Sequence, residues 1–178
     1  MRIRPIAVML VALYAAPVQA EVVQATSAGF EVRQTMSVDA PIDRVWTTVT
    51  VPARWWSKDH TYSDDPANLS LEPRPGGCFC EKLPNGGGVE HLHVVYAQPP
   101  QMIRMTGALG PLQAEAADGT LAIVLKADGA KATTVTMTYV AGGYVRAGAD
   151  TLAPKVDEVL ALEMVGLKSA AEAAPAGR

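Results

Sequence analysis

The chain has 178 residues, 15 Lys and Arg against 18 Asp and Glu, a net charge of −3, and two cysteines. A length of this order suits one domain with one core. The basic residues are scattered singly, which argues against nucleic acid as a partner, because phosphate neutralisation needs clustered Lys and Arg.

Arg2 and Arg4 precede an apolar run from Ile6 to Ala16, and Val18-Gln19-Ala20 supplies the residue types read by a signal peptidase. Residues 1–20 are therefore expected to be a signal peptide cleaved after Ala20, giving a periplasmic or secreted product. The run is too short for a stable membrane anchor, which needs roughly 20 apolar residues. Cleavage leaves 158 residues with net charge −5. Residues 21–170 are expected to form the domain and 171–178 a frayed tail rich in Ala, Pro and Gly. The sequence sets no oligomeric state.

Val22 to Val38 alternates in part and predicts a first strand. Asp39 is a candidate cap, Pro41 suits a first helical turn, and Ile42, Val45, Trp46 and Val49 share one helical face. Pro52 stops that helix and starts a second short one carrying Trp55 and Trp56. Because the two tryptophans are adjacent, at least one is expected at a cavity mouth or in a loop.

Short apolar segments between turn signals then predict strands near 69–71, 78–83, 89–97, 102–106, 120–127 and 132–144, arranged as an antiparallel meander. The final element returns to helical spacing, with Leu152, Val156, Val159, Leu160, Met164 and Leu167 on one face and Thr151 and Pro154 at its start. The expected class is α+β: a curved antiparallel sheet of about seven strands around a long C-terminal helix, with two short helices after the first strand.

That order resembles the helix-grip fold of the START-like (SRPBCC) superfamily, and three local motifs add to the likeness. Val38-Asp39-Ala40-Pro41-Ile42-Asp43-Arg44-Val45-Trp46 resembles the first-helix motif of these proteins, and Trp55-Trp56-Ser57 resembles the one that follows. Glu72-Pro73-Arg74-Pro75-Gly76-Gly77-Cys78-Phe79 is similar to a hairpin of the branch containing polyketide cyclases and Hsp90 ATPase activators. The resemblance implies a cavity between sheet and helix. It does not fix an activity, since one fold hosts many. The co-chaperone role implied by one branch needs a cytosolic ATPase, which conflicts with the expected signal peptide.

The segments 78–83 and 89–94 read as one hairpin. A regular register opposes Lys82 to Glu90, Glu81 to His91, Cys80 to Leu92 and Phe79 to His93. One face then carries Phe79, Glu81, His91 and His93, and the other Cys78, Cys80, Lys82 and Glu90; periodicity leaves open which face is inward. With the first face inward, Glu81 orients His91 as a general base or polar anchor, and the pair is the catalytic candidate for a cyclase or dehydratase.

A rival is a metal site at His91 and His93 with Glu81 beside them and His60 on a nearby loop; joining the cysteines to it needs a bulge or register break. Cys78 and Cys80 sit about 6.6 Å apart along a regular strand, at the edge of disulfide geometry, so thiols, a labile bridge and metal ligands all stay open. Ligand-binding candidates are Trp55, Trp56, Tyr62, Phe79, His93, Leu109, Tyr144, Leu160 and Met164, with the loop Gly107 to Leu112 as a possible lid. The chain has no G-x-S-x-G, P-loop, dinucleotide fingerprint or C-x-x-C, and the reading calls for no cofactor. The expected partner is a small hydrophobic or amphipathic molecule.

Overall fold

The computed structural model describes residues 19–173. The expected signal peptide lies outside the described residues, apart from Gln19 and Ala20. These two open the first strand, β1 (Gln19–Thr26), and pair with Thr35 and Gln34.

The segment expected to be one strand is a hairpin. A tight turn at Ser27 and Ala28 separates β1 from β2 (Gly29–Val38), in which burial alternates strictly. Helix α1 (Ile42–Val49) follows and buries Val45, Thr48 and Val49. Its N-cap is Pro41, with no side-chain cap. The Asp39 backbone N–H instead donates to Glu172 Oε1 at 2.8 Å.

The expected second helix is a single 3₁₀ turn, Pro52–Arg54, and Trp55 leaves it with non-helical backbone (φ −139°, ψ −19°). That departure places both tryptophans in the connection after the turn, where at least one was expected, and lets both turn inward. Both are buried, edge to face, with ring centroids 5.2 Å apart.

The meander continues through β3 (Leu69–Leu71), β4 (Cys78–Lys82), β5 (Gly88–Gln98), β6 (Met102–Thr106), β7 (Ala116–Asp128) and β8 (Ala132–Tyr144). Among the described residues these strands form one antiparallel sheet in the order β1-β2-β8-β7-β6-β5-β4-β3. The eighth strand comes from splitting the expected first one.

The inner face carries Phe30, Val32, Met36, Ile103, Met105, Leu121, Ile123, Val135, Met137 and Tyr139, all buried. Helix α2 (Ala153–Ala173) covers this face, packing on β1, β2 and α1 and burying Leu160, Met164 and Leu167. It runs three residues into the segment expected to be a tail, where Ala171 is fully buried. Among the described residues, no helix is long and apolar enough to cross a membrane.

Gly166 sets how closely α2 approaches the segment after α1, because a Cβ there would lie 2.2 Å from the Trp55 carbonyl oxygen. Alanine would gain about 1 kcal/mol of helix propensity. The clash is with backbone, which cannot rotate away, and overpacking of this kind costs about 1–3 kcal/mol. Gly166→Ala is therefore expected to lower the urea midpoint, and a stabilised variant would show that α2 is not held against Trp55.

Candidate functional site

A bulge in the β4–β5 pairing builds the site. The ladder runs Glu81↔Val89 and Cys80↔Glu90, then Phe79↔Leu92 and Cys78↔His93, so His91 is the unpaired extra residue. The register expected from the sequence does not hold on either side of the bulge: before it the strands pair two residues out, Glu81 with Val89 and Cys80 with Glu90, and past it one residue out, Phe79 with Leu92. As bulges do, this one re-aims side chains. His91 and Leu92 are both buried, while His93 turns to the outer face with half its side chain exposed.

His91 and Glu81 still meet. The His91 Nε2 to Glu81 Oε2 distance is 2.9 Å, with both side chains buried. Glu81 also accepts from the Tyr62 N–H at 3.1 Å and the Ser63 N–H at 2.6 Å. Burial alone would raise the Glu81 pKa, but hydrogen bonds from Ser63, Tyr62 and His91 together outweigh it and hold the carboxyl below its ordinary value. Among the described residues, His91 Nδ1 has no protein hydrogen-bond partner. The ring is flanked by Phe79 at 5.1 Å and Tyr62 at 5.9 Å.

A second pair of the same kind comes from α2. Glu163, fully buried, accepts from the Ser57 N–H at 2.8 Å and lies 2.7 Å from His60 Nδ1. Burial pushes the Glu163 carboxyl up, only partly offset by hydrogen bonds from His60 and Ser57. Sequence reasoning placed His60 on a loop near the site but missed Glu163. The available signal was a lone carboxylate inside the apolar spacing Leu160, Met164, Leu167, where a solvated residue does not belong.

Between these pairs lies a cavity of about 490 Å³. Trp56, Leu109, Pro111, Leu112, Leu152 and Leu160 form much of its apolar wall, and His60, Tyr62, His91 and Lys155 add polar groups. Drug-sized ligands occupy cavities of this order with such a lining.

The loop Gly107–Leu112 closes one side. It is pinned by Tyr139, whose hydroxyl donates to the Gly107 carbonyl at 3.1 Å and accepts from the Leu109 N–H at 3.2 Å. Burial raises the Tyr139 pKa to about 12, which keeps the hydroxyl a donor. From the other side, Tyr62 Oη donates to the Gly110 carbonyl at 3.0 Å. Gly107 (φ +143°) permits this path, since a Cβ would meet the His91 carbonyl at 2.7 Å.

The sequence-derived candidates divide. Trp56, Tyr62, His91, Leu109 and Leu160 line the cavity. Phe79 and Trp55 lie behind Trp56 in the aromatic core, around a much smaller gap, and Met164 is buried core. His93 and Tyr144 do not reach the cavity: the bulge turns His93 outward, and Tyr144, at the end of β8, is 68% exposed. The proposed His91 and His93 metal pair is broken for the same reason. Cys78 and Cys80 are joined as a disulfide, their Cα atoms 5.4 Å apart rather than the 6.6 Å expected of a regular strand. A strand twisted beside a bulge is shortened in this way.

No protein-family model matches the sequence, and no curated protein matches it. Solved structures do. CalU16 from Micromonospora echinospora superposes with a TM-score of 0.56 at 13% identity, covering 89% of this chain and 88% of that one. MLL2253 from Mesorhizobium loti gives 0.56 at 14% identity over 78% and 94%. DynU16, a protein of the dynemicin biosynthetic locus, gives 0.57 at 21% identity over 80% of this chain and 47% of that one. The fold is helix-grip-like. At these identities the likeness extends to fold alone.

The two carboxylates have opposite pH signatures. Glu81, held below its ordinary value of 4.5, contributes stability that is complete above that value and is lost as pH falls through its lower native pKa. Glu163, held above 4.5, contributes stability that is complete below that value and is lost as pH rises through its native pKa. Near neutral pH, Glu81→Gln is expected to cost about 1–3 kcal/mol by weakening three buried hydrogen bonds. Glu163→Gln should cost less. In acid the Glu81→Gln deficit should shrink, as read from urea midpoints; a deficit that grows in acid would contradict the assignment.

Proposed function

We propose that this chain is an exported member of the START-like (SRPBCC) superfamily that holds a small amphipathic molecule in the cavity between sheet and C-terminal helix. The carrying observation is the cavity of about 490 Å³ with a mainly apolar wall, lined in part by His91, whose Nδ1 has no protein hydrogen-bond partner among the described residues. The apolar body of the ligand packs on Trp56, Leu112, Val156 and Leu160. Its polar end meets His91 Nδ1, with Tyr62 and His60 alongside. In the neutral imidazole, pairing Nε2 with ionised Glu81 places the N–H on Nε2 and leaves Nδ1 as an acceptor. The ligand group matched to that nitrogen is a hydroxyl or another donor. Arg2 and Arg4 ahead of the apolar run Ile6 to Ala16 support the export reading, and the helix-grip-like fold supports the superfamily reading.

A proton-transfer reaction at His91 is the second reading, favoured by the Glu81 carboxylate fixing the imidazole from behind. A base needs this arrangement: a held tautomer and a free nitrogen facing the substrate.

Native mass spectrometry of the chain from an expressing periplasm, before and after denaturation, tests both. Binding predicts a co-purified organic adduct, absent in Leu160→Trp, which fills the cavity, and weakened about tenfold or more in His91→Ala, as for a lost buried hydrogen bond. A pure binder yields the same molecule from wild type and His91→Ala. An enzyme yields a different, unconverted molecule from the variant. A wild-type chain carrying no adduct, or an adduct unaffected by Leu160→Trp, would contradict the cavity reading.

A further inference from the structure

The bulge that sends His91 inward has a second effect on the opposite face of the sheet. It places His93 across from Cys78, and Glu90 across from Cys80. One sulfur from each cysteine and a carboxylate oxygen of Glu90 lie within 4.8 Å of one another, the one such group of three potential metal ligands among the described residues. His93 Nδ1 is 3.5 Å from Glu90 Oε1, which brings a fourth ligand type to the edge of the group.

The histidine is also oriented. Its Nε2 lies 3.1 Å from Thr106 Oγ1, the residue opposite it on β6. With the proton on Nε2 and donated to Thr106, the Nδ1 lone pair faces the Glu90 carboxylate. Two acceptors facing each other at that distance are stabilised by a cation between them. An outer partner on the far nitrogen is the usual way a metal-ligating histidine is held.

We infer that reduction of the Cys78–Cys80 bridge converts this outer face into a site for a thiophilic divalent cation, zinc above all, with Cys78, Cys80, Glu90 and His93 as ligands. Two thiolates with nitrogen and carboxylate donors suit tetrahedral zinc. Sulfurs about 2.3 Å from such an ion sit roughly 3.8 Å apart, a spacing open to side chains whose Cα atoms are 5.4 Å apart once the bond between them is gone.

The reductant is a dithiol. Its first thiolate attacks one bridge sulfur and breaks the S–S bond, and its second thiol resolves the mixed disulfide. Two electrons and two protons pass to Cys78 and Cys80 while the donor closes its own disulfide. Zinc then displaces the thiol protons. The fold survives because a bridge closing so few residues removes little loop entropy, and Cys78 and Cys80 lie outside the buried core. Oxidised, the two sulfurs are bonded to each other and the site is closed. The inference is independent of the cavity, which lies on the other face.

Cobalt(II) titration of the mature chain tests it, using the thiolate-to-cobalt charge-transfer band, with zinc competition and native mass spectrometry for stoichiometry. The reduced chain is expected to bind one ion, displaced by zinc, and the oxidised chain none. Cys80→Ser should lose the band, and Glu90→Gln and His93→Ala should each weaken binding at least ~10-fold, a loss seen even for outer partners of metal sites. If the cysteine variant does not fold, the two exposed-side-chain variants, which keep both thiols, carry the test. Failure of the reduced chain to take up cobalt, equal uptake by the oxidised chain, or affinity unchanged in both Glu90→Gln and His93→Ala would overturn the inference.

Discussion

Two buried carboxylates hold the segment from Ser57 to Ser63 in place, and the functional face of the molecule depends on that clamp. Glu163 reaches up from α2 to the Ser57 N–H and His60, while Glu81 reaches from β4 to the Tyr62 and Ser63 N–H groups and His91. The segment has only one 3₁₀ turn, Lys58–His60, and no strand partner of its own. Without these acceptors its inward N–H groups would lack protein partners, at a cost of about 1–3 kcal/mol for each one left buried and unsatisfied. The clamp thus does two things: it satisfies backbone that no ladder can reach, and it delivers His60 and Tyr62 to the cavity wall.

The same carboxylates explain why both histidines are presented through a single nitrogen. Each imidazole gives one nitrogen to a buried acid, Nε2 for His91 and Nδ1 for His60, and the other has no protein hydrogen-bond partner among the described residues. The acids differ in environment. Glu81 collects enough hydrogen bonds to overcome burial, whereas Glu163 does not, so one pair favours the ionised acid and the other resists ionisation. Pairs of titratable groups pushed apart in this way are a recurrent feature of sites that must offer both a donor and an acceptor.

Much of this was legible in the sequence because period and turn chemistry are local. Leu69–Leu71, Met102–Thr106 and Ala132–Tyr144 stand where alternation and breaks put them, and the apolar spacing of Leu160, Met164 and Leu167 marked the buried face of α2. The Glu81 and His91 contact was also visible, though by a register that does not hold. What stayed hidden was non-local or aperiodic. A bulge carries no reliable local signature, and a single extra residue at His91 exchanged the faces of His93 and Leu92. The short turn at Ser27 and Ala28 was invisible in a run of strand-forming residues, so one strand was read where two exist. Glu163 needed a partner more than a hundred residues away, and only the tertiary fold supplies it.

The most direct measurement of the central claim is a fluorescence titration with 1-anilinonaphthalene-8-sulfonate, an amphipathic probe with an aromatic body and one anionic end, in wild type and Leu160→Trp. A ligand cavity walled by Trp56 predicts a saturable one-to-one rise in probe emission with energy transfer from tryptophan, both lost when the cavity is filled. Non-saturable binding, or binding that survives Leu160→Trp in a folded protein, would contradict it.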